Sequence, residues 1–406
     1  MRRVVITGMG IYSCIGKNKK DVLSSLYEGK SGIGTDPRRK EMGFRSSLTG
    51  LIESPDLKSH LDRKQRITLP DVAAFAYVAT LEALEQARLD FDYLDKHIAG
   101  ILYGNDSTAE SVIQGVDTIR AKKDTTLVGS GSVFRSMNST VSMNLSVIFK
   151  LKGINMTVSA ACASSSHAIG LGMMMIQQGY QDLIICGGAQ EVNPYAVASF
   201  DGISAFSTRE DEPQKASRPF DKNRDGLVPS GGAATIILES YESAVKRNAP
   251  ILGEPVGYGF SSNGGHISNP NIEGPQRSLE MALKQAGMSQ NDIQYINAHA
   301  TSTWIGDSME AKAIARVFGD AKPYVASTKA LTGHEMWMAG ASEIVYSVLM
   351  MQNDFIAPNI NFETPDKDSA LLKIPAKRVD TELNAFLSNS FGFGGTNSSL
   401  IVRKKV

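Results

Sequence analysis

Apolar and polar positions alternate along this chain between short continuous runs and helical spacings, and together they predict a mixed succession of strands and helices. Residues 3–7 read as a buried-type strand, 21–28 as a short helix closed by Gly29, and 69–89 as a long helix with alanine at its packing positions. Strand 98–103 runs into Gly104-Asn105-Asp106-Ser107, and a polar helical region and then helix 137–150 follow. In residues 154–158, apolar Ile154, Met156 and Val158 alternate with Asn155 and Thr157, which is the period of a strand. Small residues come next. Apolar positions then continue at helical spacing through Ile169, Met173 and Ile176 until Gly179. Strands 183–188 and 231–239 bracket a polar, turn-rich stretch at 207–230.

A second series starts near Ile251. Strand 255–260 leads into the loop 261–270, helix 276–285 precedes strand 293–298, and strand 324–326 is followed by helix 341–351. Strands 385–388 and 398–402 flank Phe391-Gly-Phe-Gly-Gly395. Residues 156–178 and 325–352 echo each other, both reading strand, polar turn, then a small-residue helix ending in Met and Gln. The echo points to a duplicated α/β unit with parallel strands, divided into residues 1–250 and 251–406. Near the start, Gly8-Met-Gly10 follows a strand, as in a dinucleotide fingerprint. Ser13 stands where the third glycine belongs, however, and no strand ending in an acidic residue follows about twenty residues on. The segment Gly8 to Gly16 is therefore read as a tight turn.

Composition narrows the class. The chain has 406 residues, 42 % hydrophobic and 21 % charged, which describes a soluble globular protein with room for two domains. Lys plus Arg and Asp plus Glu both number 42, so neither a nucleic-acid nor a membrane-surface partner is indicated, although a local basic patch could still meet an acidic carrier. The three cysteines, Cys14, Cys162 and Cys186, are widely spaced and show no metal-ligand pairing. Neither a signal peptide nor a membrane span is legible, and a cytoplasmic location is expected.

Candidate chemistry concentrates on Cys162, where a strand turns into a helix N-terminus. Unpaired N–H groups and the helix dipole favour negative charge there, so a lowered thiol pKa is expected. A buried structural cysteine is the competing reading. Of six histidines, His299 and His334 follow strands in polar, small-residue turns, where a ring is placed to touch substrate. His167 lies five residues after Cys162 on the same helix, so it points away and reads as structural, while His60, His97 and His266 read as surface groups. A thiolate could hold an acyl group as a thioester, two neutral imidazoles could stabilise an enolate, and Gly392, Gly394 and Gly395 let backbone N–H groups approach an oxyanion.

The runs Ser159-Ala-Ala-Cys162, His299-Ala-Thr-Ser-Thr303, Lys329-Ala-Leu-Thr-Gly-His334 and Asn389-Ser-Phe-Gly-Phe-Gly-Gly-Thr-Asn397 resemble the β-ketoacyl-acyl carrier protein synthase I/II family. Val4-Val-Ile-Thr-Gly-Met-Gly10 and Arg218-Pro-Phe-Asp-Lys-Asn-Arg-Asp-Gly226 fit it as well, so the likeness runs from end to end with the motifs in order. The resemblance implies a thiolase-like α/β fold, with two similar βαβαβ-type halves in a five-layer α-β-α-β-α arrangement, and usually a homodimer. It implies an acyltransferase that joins malonyl units to an acyl chain held on Cys162 by decarboxylative Claisen condensation, as in fatty-acid elongation.

Carried onto this chain, His299 and His334 would promote decarboxylation, and the Cys162 and Phe393 amides would form the oxyanion hole. Lys329 would be an electrostatic support paired with Glu343, Phe391 and Phe393 would gate the acyl pocket, and Thr301 and Thr303 would hold the pantetheine arm. Asn297, Glu310, Glu343, Ser388 and Asn389 match a structural cation site of some members; no catalytic metal and no organic cofactor are implied, because the phosphopantetheine arm belongs to the acyl carrier protein. That carrier, acyl- and malonyl-loaded, is the implied partner, and a heterodimer with a paralogous subunit is the alternative to the homodimer. Thiolases need a second late cysteine, and none follows Cys186; the starter-type synthase III has asparagine where His334 stands; a chain-length-factor subunit, the catalytically idle alternative, lacks the nucleophile.

The chain departs from the family pattern in two places. The first histidine is followed by Ala300-Thr-Ser-Thr-Trp304 instead of a Gly-Thr-x-Thr-Pro run, and the second by Glu335-Met-Trp-Met-Ala339 instead of a small glycine-containing turn. Both tryptophans of the protein, Trp304 and Trp337, thus lie near a histidine of the candidate site. They either pack beneath the histidine loops or reshape the acyl and pantetheine channel. The second option keeps a specialised synthase of a polyene, aryl-polyene or polyketide pathway as runner-up.

Overall fold

A computed structural model describes residues 1–405. Two five-stranded sheets form its frame. The first runs Val4–Ser13, Gly232–Ser240, Leu183–Gln190, Ala99–Gly104, Asn155–Val158; its first two junctions are antiparallel and its last two parallel. The second runs Glu254–Ser262, Thr396–Arg403, Ala385–Gly392, Tyr295–Asn297, Tyr324–Ala326, with the same succession of junctions. The two stretches that echo each other in sequence occupy equivalent sites, each beginning on the parallel edge strand of its sheet. The sheets are mixed and not wholly parallel, as the repeat alone suggested. In the second, Gly392 and Thr396 are joined by a three-residue turn, too short for a parallel crossover.

Helices Ser164–Gln177 and Ala339–Gln352 lie between the sheets. Ile169, Met173 and Ile176 of one and Ile344, Val345 and Val348 of the other share a core with Ile184, Ile236, Leu400 and Val402. Helices Asp71–Ala87 and Thr140–Ile148 cover the outer face of the first sheet, against Ile101, Ile185 and Ile237. Helices Glu273–Ala286 and Trp304–Phe318 cover that of the second, against Ile296, Leu387 and Ile401. This is the five-layer α-β-α-β-α arrangement. Both faces of the central strands are buried, so neighbours such as Ile184 and Ile185 enter different cores, and the strands read as continuous apolar runs.

The central helices cross near their N-termini. A Cβ on Gly340 would sit 2.6 Å from both the N and Cβ of Ser166, so only glycine permits the approach. That crossing brings the loop before each helix to the same place. Among the described residues no helix is long and apolar enough to cross a membrane.

The opening Gly-x-Gly is not a turn. Gly8 and Gly10 lie inside the ten-residue strand Val4–Ser13, and the chain reverses only at Ser13 and Gly16. A Cβ on Gly8 would meet the carbonyl of Ala83 at 2.2 Å and one on Gly10 that of Ala79 at 2.0 Å. The glycines let helix Asp71–Ala87 lie directly on the strand, which is also why that helix is rich in alanine.

Candidate active site

Strand Asn155–Val158 ends in a tight turn, Ala161–Ala163, that leads into helix Ser164–Gln177. Ala161 adopts φ 47°, an unfavourable conformation for a residue with a Cβ. The hydroxyl of Ser164 holds the turn by accepting the Ala160 N–H at 2.8 Å and donating to the Ala161 carbonyl at 2.6 Å. This places Cys162, 6 % exposed, at the start of the helix.

His334 enters from the second half. Gly333, at φ 70°, lies where a Cβ would meet the Val228 carbonyl at 2.6 Å. The His334 N–H donates to that carbonyl at 2.7 Å and its carbonyl accepts from Ser230 at 2.9 Å. The later part of the polar segment, residues 216–230, is therefore a largely buried clamp, held by Arg218 with Asp221 at 3.0 Å and Arg224 with Asp366 at 2.7 Å. The Met336 N–H donates to His334 Nδ1 at 3.3 Å, so the ring proton resides on Nε2, which lies 3.0 Å from Cys162 Sγ.

His299 is set by Glu310, whose carboxylate accepts the N–H groups of His299 and Ala300 at 2.9 and 2.7 Å and an N–H of Asn389 at 3.0 Å. Its ring stands perpendicular to that of His334 at 5.3 Å and 6.0 Å from Phe391, and its buried Nδ1 has no partner. One side-chain atom from each of Cys162, His299 and His334 lies within 4.8 Å of the others. Such a trio could also ligate a thiophilic metal. The Nε2 proton of His334 directed at sulfur instead makes a hydrogen-bonded pair, since a metal ligand would present a lone pair.

Burial controls the charges here. It depresses both imidazoles well below their ordinary range, aided by the nearby Lys329 ammonium, so both rings are neutral. It also pushes the Cys162 thiol up to about 12, with Lys329 opposing and Asp106 adding to the rise. This runs against the expectation of a lowered thiol pKa: loss of hydration outweighs the opposing charge of Lys329. Lys329 is buried and bonded to Glu343, as the resemblance implied. Burial raises Glu310 and Glu335 to about 7, and Glu343 upward despite its contact with Lys329.

Cys162, His299 and His334 meet at a cavity of about 360 Å³, whose wall also includes Thr301, Thr303, Trp304, Phe391, Gly392 and Phe393. Gly394 lies outside that wall, in the left-handed region at φ 78°, and its N–H donates to Ile267 at 2.7 Å. Trp304 is half exposed at the mouth, under the Arg224 guanidinium at 4.7 Å. Trp337 does not line the cavity, contrary to its expected place among substrate contacts. The turn after His334 folds inward and packs it with Val197, Phe206, Leu227 and Met336 against Cys162.

Asn297 and Ser388 are register partners on adjacent strands, and Asn389 reaches Glu310. The residues fit a structural cation in one respect, because Glu343 Oε2 is buried without a partner. His167 is structural, bonded to Tyr258 at 2.6 Å and Thr396 at 2.8 Å. His266, read as a surface group, is exposed but also lines the cavity, with Asn263 and Phe200. Its position in a loop after a strand, the criterion that singled out His299 and His334, could have found it.

Fold and site together define a thiolase-like enzyme in which a buried cysteine meets two neutral histidines. The chain matches the family models "Beta-ketoacyl synthase, N-terminal domain" over residues 1–244 and "Beta-ketoacyl synthase, C-terminal domain" over 252–363, and it belongs to the beta-ketoacyl synthase family. It is 42 % identical to "3-oxoacyl-[acyl-carrier-protein] synthase 1" of Haemophilus influenzae, covering 100 % of this chain and 99 % of that one. A crystal structure of a beta-ketoacyl synthase from Burkholderia phymatum superposes with TM-score 0.95 at 36 % identity over the whole of both chains. A ketosynthase solved with its type II polyketide acyl-carrier protein, AntDE:AntF, superposes with TM-score 0.88 at 30 % identity, again over both full chains.

Proposed function

We propose that this chain is a 3-oxoacyl-acyl carrier protein synthase that elongates fatty acyl chains by decarboxylative condensation, with Cys162 as nucleophile. The observation that carries the reading is the buried contact of His334 Nε2 with Cys162 Sγ, at 3.0 Å, beside the unpaired ring of His299. In the first half-reaction the sulfur attacks the acyl thioester, the bond to the carrier sulfur breaks, and the thiol proton leaves with the carrier thiol. Charge developing on Cys162 is met by the His334 N–H, the start of a fourteen-residue helix and the field of Lys329.

In the second, malonyl carrier loses carbon dioxide, and the released electron pair forms an enolate whose oxygen accepts hydrogen bonds from His299 and His334. The enolate carbon then attacks the acyl carbonyl, with the Cys162 and Phe393 amides facing the oxyanion, and Cys162 is regenerated. Thr301 and Thr303 hold the pantetheine arm, Phe391 and Phe393 gate the acyl pocket, and Lys329 with Glu343 sets the local field. The arm belongs to the carrier protein, so the enzyme supplies no organic cofactor. A bound cation at Asn297, Glu310, Glu343, Ser388 and Asn389 would supply only local charge balance.

Acyl carrier protein is the proposed partner, supported by the carrier-bound neighbour. A cytoplasmic location and the division into halves 1–250 and 251–406 belong to the same reading. A homodimer is supported by the unpaired edge strand Asn155–Val158, where Met156 is 53 % exposed, and by Val147 nearby at 72 %. Mass spectrometry of intact protein tests the mechanism. Cys162→Ala should carry no acyl adduct, and His299→Ala should be acylated yet fail to decarboxylate malonyl carrier. Elongation by Cys162→Ala would overturn the assignment.

A further inference from the structure

Cys162 stands at a seam. It lines the cavity of about 360 Å³, and it also belongs to the apolar cluster of Val197, Phe206, Leu227, Met336 and Trp337, of which only Leu227 reaches the cavity wall. The other four are buried, none more than 7 % exposed. Phe206 stacks on Phe200 at 6.4 Å and 10°, and Phe200 on Phe393 at 5.9 Å and 16°, so the rings run on from the cluster to the wall, where Phe200 and Phe393 stand. The turn that carries Met336 and Trp337 is pinned from behind. The buried Glu335 side chain accepts the hydroxyls of Ser342 and Tyr346 at 2.5 and 2.8 Å, and the Met338 N–H donates to the Glu335 carbonyl at 3.0 Å. A Cβ on Gly188 would lie 2.8 Å from the Trp337 carbonyl, so the backbone of the turn rests directly on strand Leu183–Gln190. The indole is a fixed wall.

Condensation needs both substrates in place at once. The malonyl group must reach His299 and His334, and its pantetheine arm enters through the mouth beside Trp304. A cavity of about 360 Å³ lies near the lower end of the range of about 300–1,000 Å³ that holds a drug-sized ligand, so the arm and the malonyl group fill it. The acyl group on Cys162 is left with the cluster side, where its neighbours are already packed against one another. Resting on the synthase reading above, we infer that this enzyme takes short acyl groups, acetyl to butyryl, and that Trp337 is the steric stop that sets the limit. Trp337 is the largest side chain of the cluster. A longer chain must displace the indole or break the ring stack, and a close-packed, pinned wall gives way only at a cost. A short group needs neither. The transfer itself remains a thiol exchange: the carrier's carbon–sulfur bond breaks, that of Cys162 forms, and the proton leaves on the carrier thiol.

The test is a competition in which wild-type enzyme meets equimolar acetyl, butyryl, octanoyl and hexadecanoyl carrier protein, with the Cys162 adduct followed by intact mass spectrometry. The butyryl adduct should form at least about tenfold faster than the octanoyl adduct, which corresponds to about 1.4 kcal/mol, and the hexadecanoyl adduct slowest of all. Trp337→Ala, which removes the stop, should bring the butyryl-to-octanoyl ratio down toward one, and Trp337→Phe, with a smaller ring, should give a ratio between the two. Octanoyl or hexadecanoyl adducts that form as fast as butyryl in the wild-type enzyme would overturn the inference while leaving the synthase reading intact. So would a Trp337→Ala enzyme in which every rate falls in the same proportion, the mark of a purely structural residue. No adduct from any chain would overturn both. The wild-type ratio decides the matter by itself if the variants fail to fold.

Discussion

Replacing Lys329 by methionine removes a buried ammonium from a pocket that also holds Glu310, Glu335 and Glu343, all of whose carboxyls feel its charge. Lys329 and Glu343 side chains are each 2 % exposed, and Glu343 Oε2 already lacks a partner. Methionine fills much of the same volume, so the loss is electrostatic and not a cavity. Breaking such a buried pair from one side costs about 3–5 kcal/mol. The cost depends on pH.

Glu343 is raised to about 8 from an ordinary 4.5 even beside Lys329. Its folded state therefore retains a proton that the unfolded chain releases, and stability is lost as pH rises through the folded pKa. Without Lys329 that pKa climbs further, so the penalty should be larger at about pH 9 than at about pH 6, where a neutral carboxyl needs no cation. Urea unfolding followed by tryptophan fluorescence at both values measures it, and Lys329→Met with Glu343→Leu should recover most of the loss. A single-variant penalty under about 1 kcal/mol at the higher pH, the size of an exposed pair, or one equal at both values, would refute the reasoning. The histidines should also rise toward their ordinary range, moving the acid limb of the activity profile upward.

Two further outcomes follow from burial and close packing. Iodoacetamide labelling of Cys162, resolved by peptide mapping, should accelerate about tenfold per pH unit from neutral to pH 9, because the thiolate reacts and the thiol lies near 12; a plateau near pH 7 would show that the helix start and His334 outweigh burial. Gly10→Ala forces a methyl to 2.0 Å from the Ala79 carbonyl and should cost at least about 1–3 kcal/mol. A wild-type thermal midpoint would mean that strand and helix separate freely there.

Much of this protein was legible without coordinates. The long helix expected at 69–89 is observed at Asp71–Ala87, and the strand expected at 324–326 is observed at Tyr324–Ala326. Cys162, His299 and His334 were legible as candidates because few residue types suit this chemistry and each follows a strand, and the structure brings the three side chains together. Gly8 and Gly10 were misread because a glycine needed for close packing looks, in one dimension, like a glycine needed for a turn. Only the helix lying on that strand distinguishes them. Trp337 was misplaced for a related reason: adjacency to His334 in the chain says nothing about which way the next turn folds.

Residue order by itself determined the succession of elements, the duplication and the inventory of reactive groups, since period, turn chemistry and motif are local properties. The convergence of residues 162 and 334 was decided in three dimensions, where Gly340 lets two helices cross at Ser166. The protonation of the site was decided there too. A thiol at a helix start and two loop imidazoles have ordinary affinities for protons until water is removed, and that removal is a property of the packed core alone.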